Sequence, residues 1–177
     1  LLFVDGARLA AALTSDANDL TLPEFARLVD AFYLGGTKNG TLFGEALVIT
    51  RPELTHDFFR MKKRMGAVME KGWLQGVQFE AILKDNLYFD MARHANVLAG
   101  RLQEGVKALG LPLMTESCTN QIFPIVKNEL RPRLEQVCAF EDWCPFDAEH
   151  TVIRFVTCFH TTQEDVDALL SELKKLL

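Results

Sequence analysis

The turn Gly35-Gly36-Thr37-Lys38-Asn39-Gly40 constrains this chain more than any other segment. It lies between two strand-sized apolar runs, residues 31–34 and 45–49. Glycine-flanked turns between buried strands place their side chains at the rim of a sheet, where the sites of α/β folds form. The spacing matches neither a G-x-x-x-x-G-K-[ST] phosphate loop nor a G-x-G-x-x-G dinucleotide turn. Taken singly, a lysine in such a turn is more often a solvated side chain than a reactive one.

The apolar pattern around the turn predicts α/β structure. Residues 1–4, Leu-Leu-Phe-Val, read as a buried parallel strand that delivers Asp5 at its C-terminal end. With no initiator methionine or polar lead-in, this opening reads as the middle of such a strand, and preceding residues are expected. Residues 7–13 read as a short helical segment and 15–20 as a loop. Thr21-Leu22-Pro23-Glu24 carries a capping box that opens a helix, with Phe25, Leu28 and Val29 as its apolar stripe. From Pro52 to about Gly110 the chain reads as helical. Asp85 is the expected N-cap of a long helix whose buried face is Leu87, Met91, Ala95, Leu98, Leu102 and Leu109, with Gly110 as its C′ residue. Strands are expected at 111–114, 121–126 and 151–156, and a short helix at 130–137. Thr161 and Glu164 form the expected capping box of a last helix lined by Val166, Leu169, Leu170, Leu173 and Leu176. The change of pattern places a domain boundary near Asp85, giving domains 1–84 and 85–177, the second a small α+β unit.

Composition limits the partners. With a net charge of −5 and only a local basic cluster at Lys62, Lys63 and Arg64, the chain offers no nucleic-acid surface. No apolar run approaches the roughly 20 residues a bilayer span needs. The four cysteines form no C-x-x-C pair, so zinc-ribbon and thioredoxin patterns fail, and free thiols in a reducing cytoplasm are the expectation. No metal site is expected.

Three elements together suggest one chemistry: Asp5-Gly6-Ala7-Arg8, the lysine turn, and Arg154 in Ile153-Arg154-Phe155-Val156-Thr157. Pyridoxal phosphate needs an amine for its aldehyde and a carboxylate to keep its ring nitrogen protonated. An amino-acid substrate needs a planar guanidinium for its carboxylate. The order Asp, Lys, Arg suits that layout.

Phe3-Val4-Asp5-Gly6-Ala7-Arg8-Leu9 is similar to the D-G-A-R segment of threonine aldolases. Residues 33–46, Tyr-Leu-Gly-Gly-Thr-Lys-Asn-Gly-Thr-Leu-Phe-Gly-Glu-Ala, resemble their cofactor-lysine segment. Residues 153–157 with 162–166 resemble the family's C-terminal end. The chain thus resembles the C-terminal half of the threonine aldolase and aromatic amino acid β-eliminating lyase family of fold-type I pyridoxal-phosphate enzymes. The resemblance implies the C-terminal part of a transferase-like large domain plus a small α+β domain. It implies that Lys38 holds the cofactor as a Schiff base, that Asp5 pairs with the ring nitrogen, and that Arg8 lies beside the ring near its 3-hydroxyl. Thr37 would touch the cofactor, Lys71 would help hold the phosphate, and Arg154 would take the substrate carboxylate.

The family's phosphate loop and ring-stacking residue lie upstream of the Asp motif, so this stretch carries about half of an active site. His56, His94, His150 and His160 do not fall at matching positions; His94 reads as a surface or interface residue, and His160 follows the Arg154 strand closely. The resemblance implies cleavage of the Cα–Cβ bond of a β-hydroxy-α-amino acid in a homodimer or homotetramer. β-Elimination, transamination, a non-catalytic homologue and an inactive fragment remain as alternatives.

Overall fold

In the computed structural model, which describes residues 1–177, the lysine turn does join two strands. The chain divides into two compact units, residues 1–14 with 18–91 and residues 15–17 with 92–177. No helix is long and apolar enough to cross a membrane.

The first unit is built on a sheet of β1 (Phe3–Val4), β2 (Ala31–Leu34) and β3 (Ala46–Ile49), in that order. β1 and β2 run parallel, with Phe3 opposite Ala31 and Val4 opposite Phe32. A parallel pair requires a crossover, and α1 (Leu9–Leu13) and α2 (Leu22–Leu28) provide it. The α2 capping box forms as expected: the Thr21 amide donates to Glu24 at 2.8 Å, and the Glu24 amide donates back to the Thr21 hydroxyl. β2 turns back antiparallel to β3, with Leu34 opposite Ala46. Phe32 and Leu34 are buried, Phe32 edge-on to Phe25 at 5.1 Å.

The other face of this sheet is open, which corrects the expectation of a strand buried on both sides. Phe3 is 52% exposed, Tyr33 38% and Leu47 40%. These residues share a face because strand side chains alternate, and nothing in the first unit covers them. Leu28, expected in the α2 stripe, is also exposed, while Val29 is buried.

The single helical stretch expected from Pro52 is interrupted. A 3₁₀ turn at Pro52–Thr55 is followed by α3 (Phe58–Arg64), α4 (Trp73–Leu83) and α5 (Leu87–Ala108). The breaks fall at residues with left-handed backbone, Asp57, Gly66, Asp85 and Asn86. Asp85 is therefore not an N-cap; it sits at φ 52° inside a 3₁₀ turn. The buried face of α5 matches the expected one in part: Ala95, Leu98 and Leu102 are buried, whereas Leu87 is 45% exposed. Tyr88, Ala92, Ala99 and Val106 are buried beside them. Tyr88 joins the buried face because its hydroxyl finds a buried hydrogen-bond partner. Gly110 ends the helix at φ +81°, with the Leu111 amide reaching the Val106 carbonyl at 3.2 Å.

In the second unit β7 (His150–Val156) is the central strand. It pairs antiparallel with β4 (Gln121–Ile122), β5 (Ile125–Lys127) and β6 (Glu141–Pro145). The run expected at 121–126 splits because Pro124 has no amide to donate, and the strand expected at 111–114 is reduced to a single bridge between Leu113 and Pro124. α6 (Arg131–Leu134) is shorter than expected. Ile122, Val126, Ile153 and Phe155 form the core with Leu98, Leu102 and Val106 of α5 and with Val166 and Leu173 of α7 (Gln163–Leu176). The α7 capping box sits one residue later than expected, on Thr162 and Asp165. The Thr161 hydroxyl is already engaged by the Cys158 amide at 3.0 Å.

Candidate active site

Asp5 and Lys38 come from the same end of two adjacent parallel strands. Asp5 follows β1 directly, and Lys38 sits in the turn after β2. The strand ends are pressed together: the Gly35 amide donates to the Gly6 carbonyl at 3.1 Å. A Cβ on Gly6 would lie 1.8 Å from the Tyr33 carbonyl oxygen, and one on Gly35 would lie 2.4 Å from that of Ala7. Only glycine permits this approach. It carries Asp5 and the lysine turn to the same rim.

The turn is held from two sides. The Glu45 carboxylate, just before β3, accepts from the Gly36 amide at 2.5 Å and from the Thr37 hydroxyl at 2.7 Å. On the other side, the buried Asn39 amide group donates to the Tyr88 carbonyl at 2.7 Å, and the Tyr88 hydroxyl donates to the Gly35 carbonyl at 2.9 Å. Asn39 and Thr41 amides both donate to the Gly36 carbonyl, at 2.8 and 3.1 Å, and close the loop. Burial pushes the Tyr88 phenol well above its ordinary range, and the Glu45 charge adds to the shift. Tyr88 is thus a permanent hydroxyl donor at neutral pH. Lys38, at the tip, is exposed and forms no ion pair or hydrogen bond.

Asp5 is exposed, with one carboxylate oxygen accepting from the Ala7 amide at 3.0 Å. Arg8 is half-buried at the start of α1. Asp5, Arg8, Thr37 and Lys38 therefore lie on segments that leave the same end of the sheet. Lys71 stands apart on the exposed stretch before α4 and pairs with its neighbour Glu70. An amine without a partner and a carboxylate at the ends of neighbouring parallel strands are the two groups that pyridoxal phosphate requires, so the residues present fit that cofactor.

Arg154 belongs to the second unit. Its side chain is 16% exposed, and it ion-pairs with Glu141, the residue directly opposite it on β6. One guanidinium nitrogen, Nη1, donates to Gln121 at 2.8 Å. The Trp143 ring lies 5.1 Å from the guanidinium carbon. Thr157, three residues on, is buried and donates to the Ala95 carbonyl at 2.7 Å. His160 is exposed beside Phe159, and His94 contacts the Thr161 carbonyl at 2.8 Å. All four cysteines are free, and no cluster of potential metal ligands occurs.

Glu45, Asn39, Tyr88, Glu141 and Trp143 were not singled out in the sequence. A carboxylate just before the returning strand, within reach of the glycine turn, is the one signal that could have found Glu45.

No family profile matches the chain. Direct comparison does find relatives. A threonine aldolase from Leishmania major superimposes with a TM-score of 0.90 at 41% identity, over 99% of this chain and 51% of that one. A serine palmitoyltransferase from Sphingomonas wittichii superimposes at 0.62 and 17% identity, covering 84% of this chain and 39% of its own. That likeness shows the fold alone, and the fold is that of fold-type I pyridoxal-phosphate enzymes. A low-specificity L-threonine aldolase from Pseudomonas aeruginosa is 31% identical over 123 residues, covering 69% of this chain and 36% of the relative. Within its fold class the chain belongs to the threonine aldolase family. It spans between about a third and a half of the length of the aldolases it matches.

Proposed function

We propose that the complete protein is a pyridoxal-phosphate-dependent aldolase that splits the Cα–Cβ bond of a β-hydroxy-α-amino acid such as threonine into glycine and an aldehyde. The observation that carries this reading is the delivery of Asp5 and Lys38 to one sheet rim by adjacent parallel strands, with the lysine turn held by Glu45 and Tyr88. The likeness to threonine aldolases supports it.

Lys38 would tether the cofactor through its amine. Asp5 would keep a proton on the ring nitrogen and Arg8 and Thr37 would flank the ring, while Lys71, which stands apart from them, would meet the phosphate across a subunit interface. Bound there, pyridoxal phosphate supplies a sink for the electron pair released when the Cα–Cβ bond breaks. Arg154 would grip the substrate carboxylate and so set which Cα bond stands perpendicular to the ring. Glu45 fixes the Gly36 amide and the Thr37 hydroxyl beside the lysine. Assembly as a homodimer or homotetramer in the cytoplasm belongs to the same proposal.

The test is to load the complete gene product with pyridoxal phosphate and record its visible absorption. The expected band disappears in Lys38→Ala, and threonine yields glycine and acetaldehyde. A protein that takes up no cofactor overturns the enzyme reading. Ammonia and a keto acid from serine or tryptophan, without glycine from threonine, would instead establish a β-eliminating lyase.

A further inference from the structure

We propose that Glu141 is a displaceable stand-in for the substrate carboxylate on Arg154, held in place until an amino acid takes its position. The inference rests on the reading of Arg154 as the carboxylate receptor.

The guanidinium is gripped unevenly. Nη1 is committed to Gln121 at 2.8 Å, and Nη2 is paired with the Glu141 carboxylate. Nε is buried and has no hydrogen-bond partner. Nε and Nη2 form one side edge of the planar fork, the edge a carboxylate meets with two parallel bonds. Glu141 uses only half of that edge and leaves a buried donor unsatisfied, an arrangement less favourable than a two-oxygen grip. A free carboxylate that spans Nε and Nη2 satisfies both donors.

The competing pair is built to yield. The Arg154 side chain is 16% exposed, whereas that of Glu141 is 58% exposed. Glu141 can therefore return to water at little cost, since exposed ion pairs contribute little. The arginine stays behind, because Gln121 and Trp143 hold it independently of Glu141. Trp143 reaches the guanidinium because it is the extra residue of a β-bulge. Asp142 pairs with Ile153 and Cys144 with Val152, so Trp143 has no opposite number. Bulges re-aim side chains in this way. The ring also packs on Phe123 at 5.2 Å, which fixes the platform under the cation. Glu141 and Trp143 are thus positioning residues, acting on substrate through Arg154.

The experiment measures equilibrium binding of glycine and of glycinamide to the complete, cofactor-loaded protein by calorimetry. Glycinamide lacks the carboxylate. Glu141→Gln keeps the size of the side chain and removes its charge, and Glu141→Ser removes the group, so the result does not depend on one variant folding. Both are expected to tighten glycine about two- to fivefold, the range an exposed pair contributes, with no change for glycinamide. Glycine binding that is unchanged or weaker in both variants overturns the stand-in role. Arg154→Gln separates the two claims. Loss of the preference for glycine over glycinamide upholds Arg154 as the receptor, whatever Glu141 does. Retention of that preference overturns the receptor reading, and the stand-in falls with it.

Discussion

The Tyr88 hydroxyl donates to the Gly35 carbonyl at 2.9 Å, and both groups are buried. Tyr88→Phe leaves that carbonyl without its partner in an apolar surrounding. The expected cost is about 1–3 kcal/mol, read from denaturant unfolding. The effect also has a pH signature. The phenol is raised above its ordinary 10.0 in the folded state, by burial first and by the Glu45 charge second. The tyrosine therefore contributes stability that is complete below the unfolded value and is lost as pH rises through the folded one. Stability should fall above about pH 10 in the parent and less steeply in Tyr88→Phe.

Glu45 holds the lysine turn through two hydrogen bonds. Glu45→Ala should lower the affinity for pyridoxal phosphate about tenfold, the equivalent of roughly 1.4 kcal/mol. Thr37→Ala, which leaves the Gly36 bond intact, should cost less. Titration of the visible absorption with cofactor checks both.

Two glycine substitutions should act in opposite directions. Gly6→Ala places a Cβ 1.8 Å from the Tyr33 carbonyl oxygen, a backbone atom that cannot swing away. The strand ends must separate, and a loss above about 4 kcal/mol, or failure to fold, is expected. Gly100→Ala, on the exposed side of α5 with no atom within 4 Å of the new Cβ, should stabilise by about 0.5–1 kcal/mol. Thermal unfolding distinguishes the two.

Asp165 closes the α7 capping box. The Thr162 amide and then the Thr162 hydroxyl hold its carboxyl below the ordinary 3.8. A depressed carboxylate contributes stability that is present above its unfolded value and lost as pH falls through the folded one. Asp165→Asn should therefore flatten the acid limb of the stability curve below about pH 4. Unfolding midpoints measured across that window in parent and variant would show it.

The lysine turn, the Asp5 strand end and the Thr21 capping box were legible because each is specified by residues within a few positions of one another. β6 was not. Glu141-Asp142-Trp143-Cys144-Pro145 has no apolar alternation, and the bulge at Trp143 breaks the period of two. Its partner β7 follows after only four residues, 146–149, but the strand is defined by that pairing and not by a pattern of its own. The burial of Tyr88 on α5 escaped because it depends on a distant partner. Tyr88 is buried because of a carbonyl 53 positions away, and no local window contains that information. Arg154 was found as a cation in a strand, but its partners Gln121, Glu141 and Trp143 depend on the register of three strands.

The bare face of the first sheet governs how this polypeptide must be handled. Phe3, Tyr33 and Leu47 present an adhesive strip bordered by the free edge of β1. Such surfaces recruit other chains indiscriminately when left uncovered. Expressed by itself, the 177-residue stretch should collect in inclusion bodies. Co-expression with a segment able to lie across that strip should bring it into the supernatant.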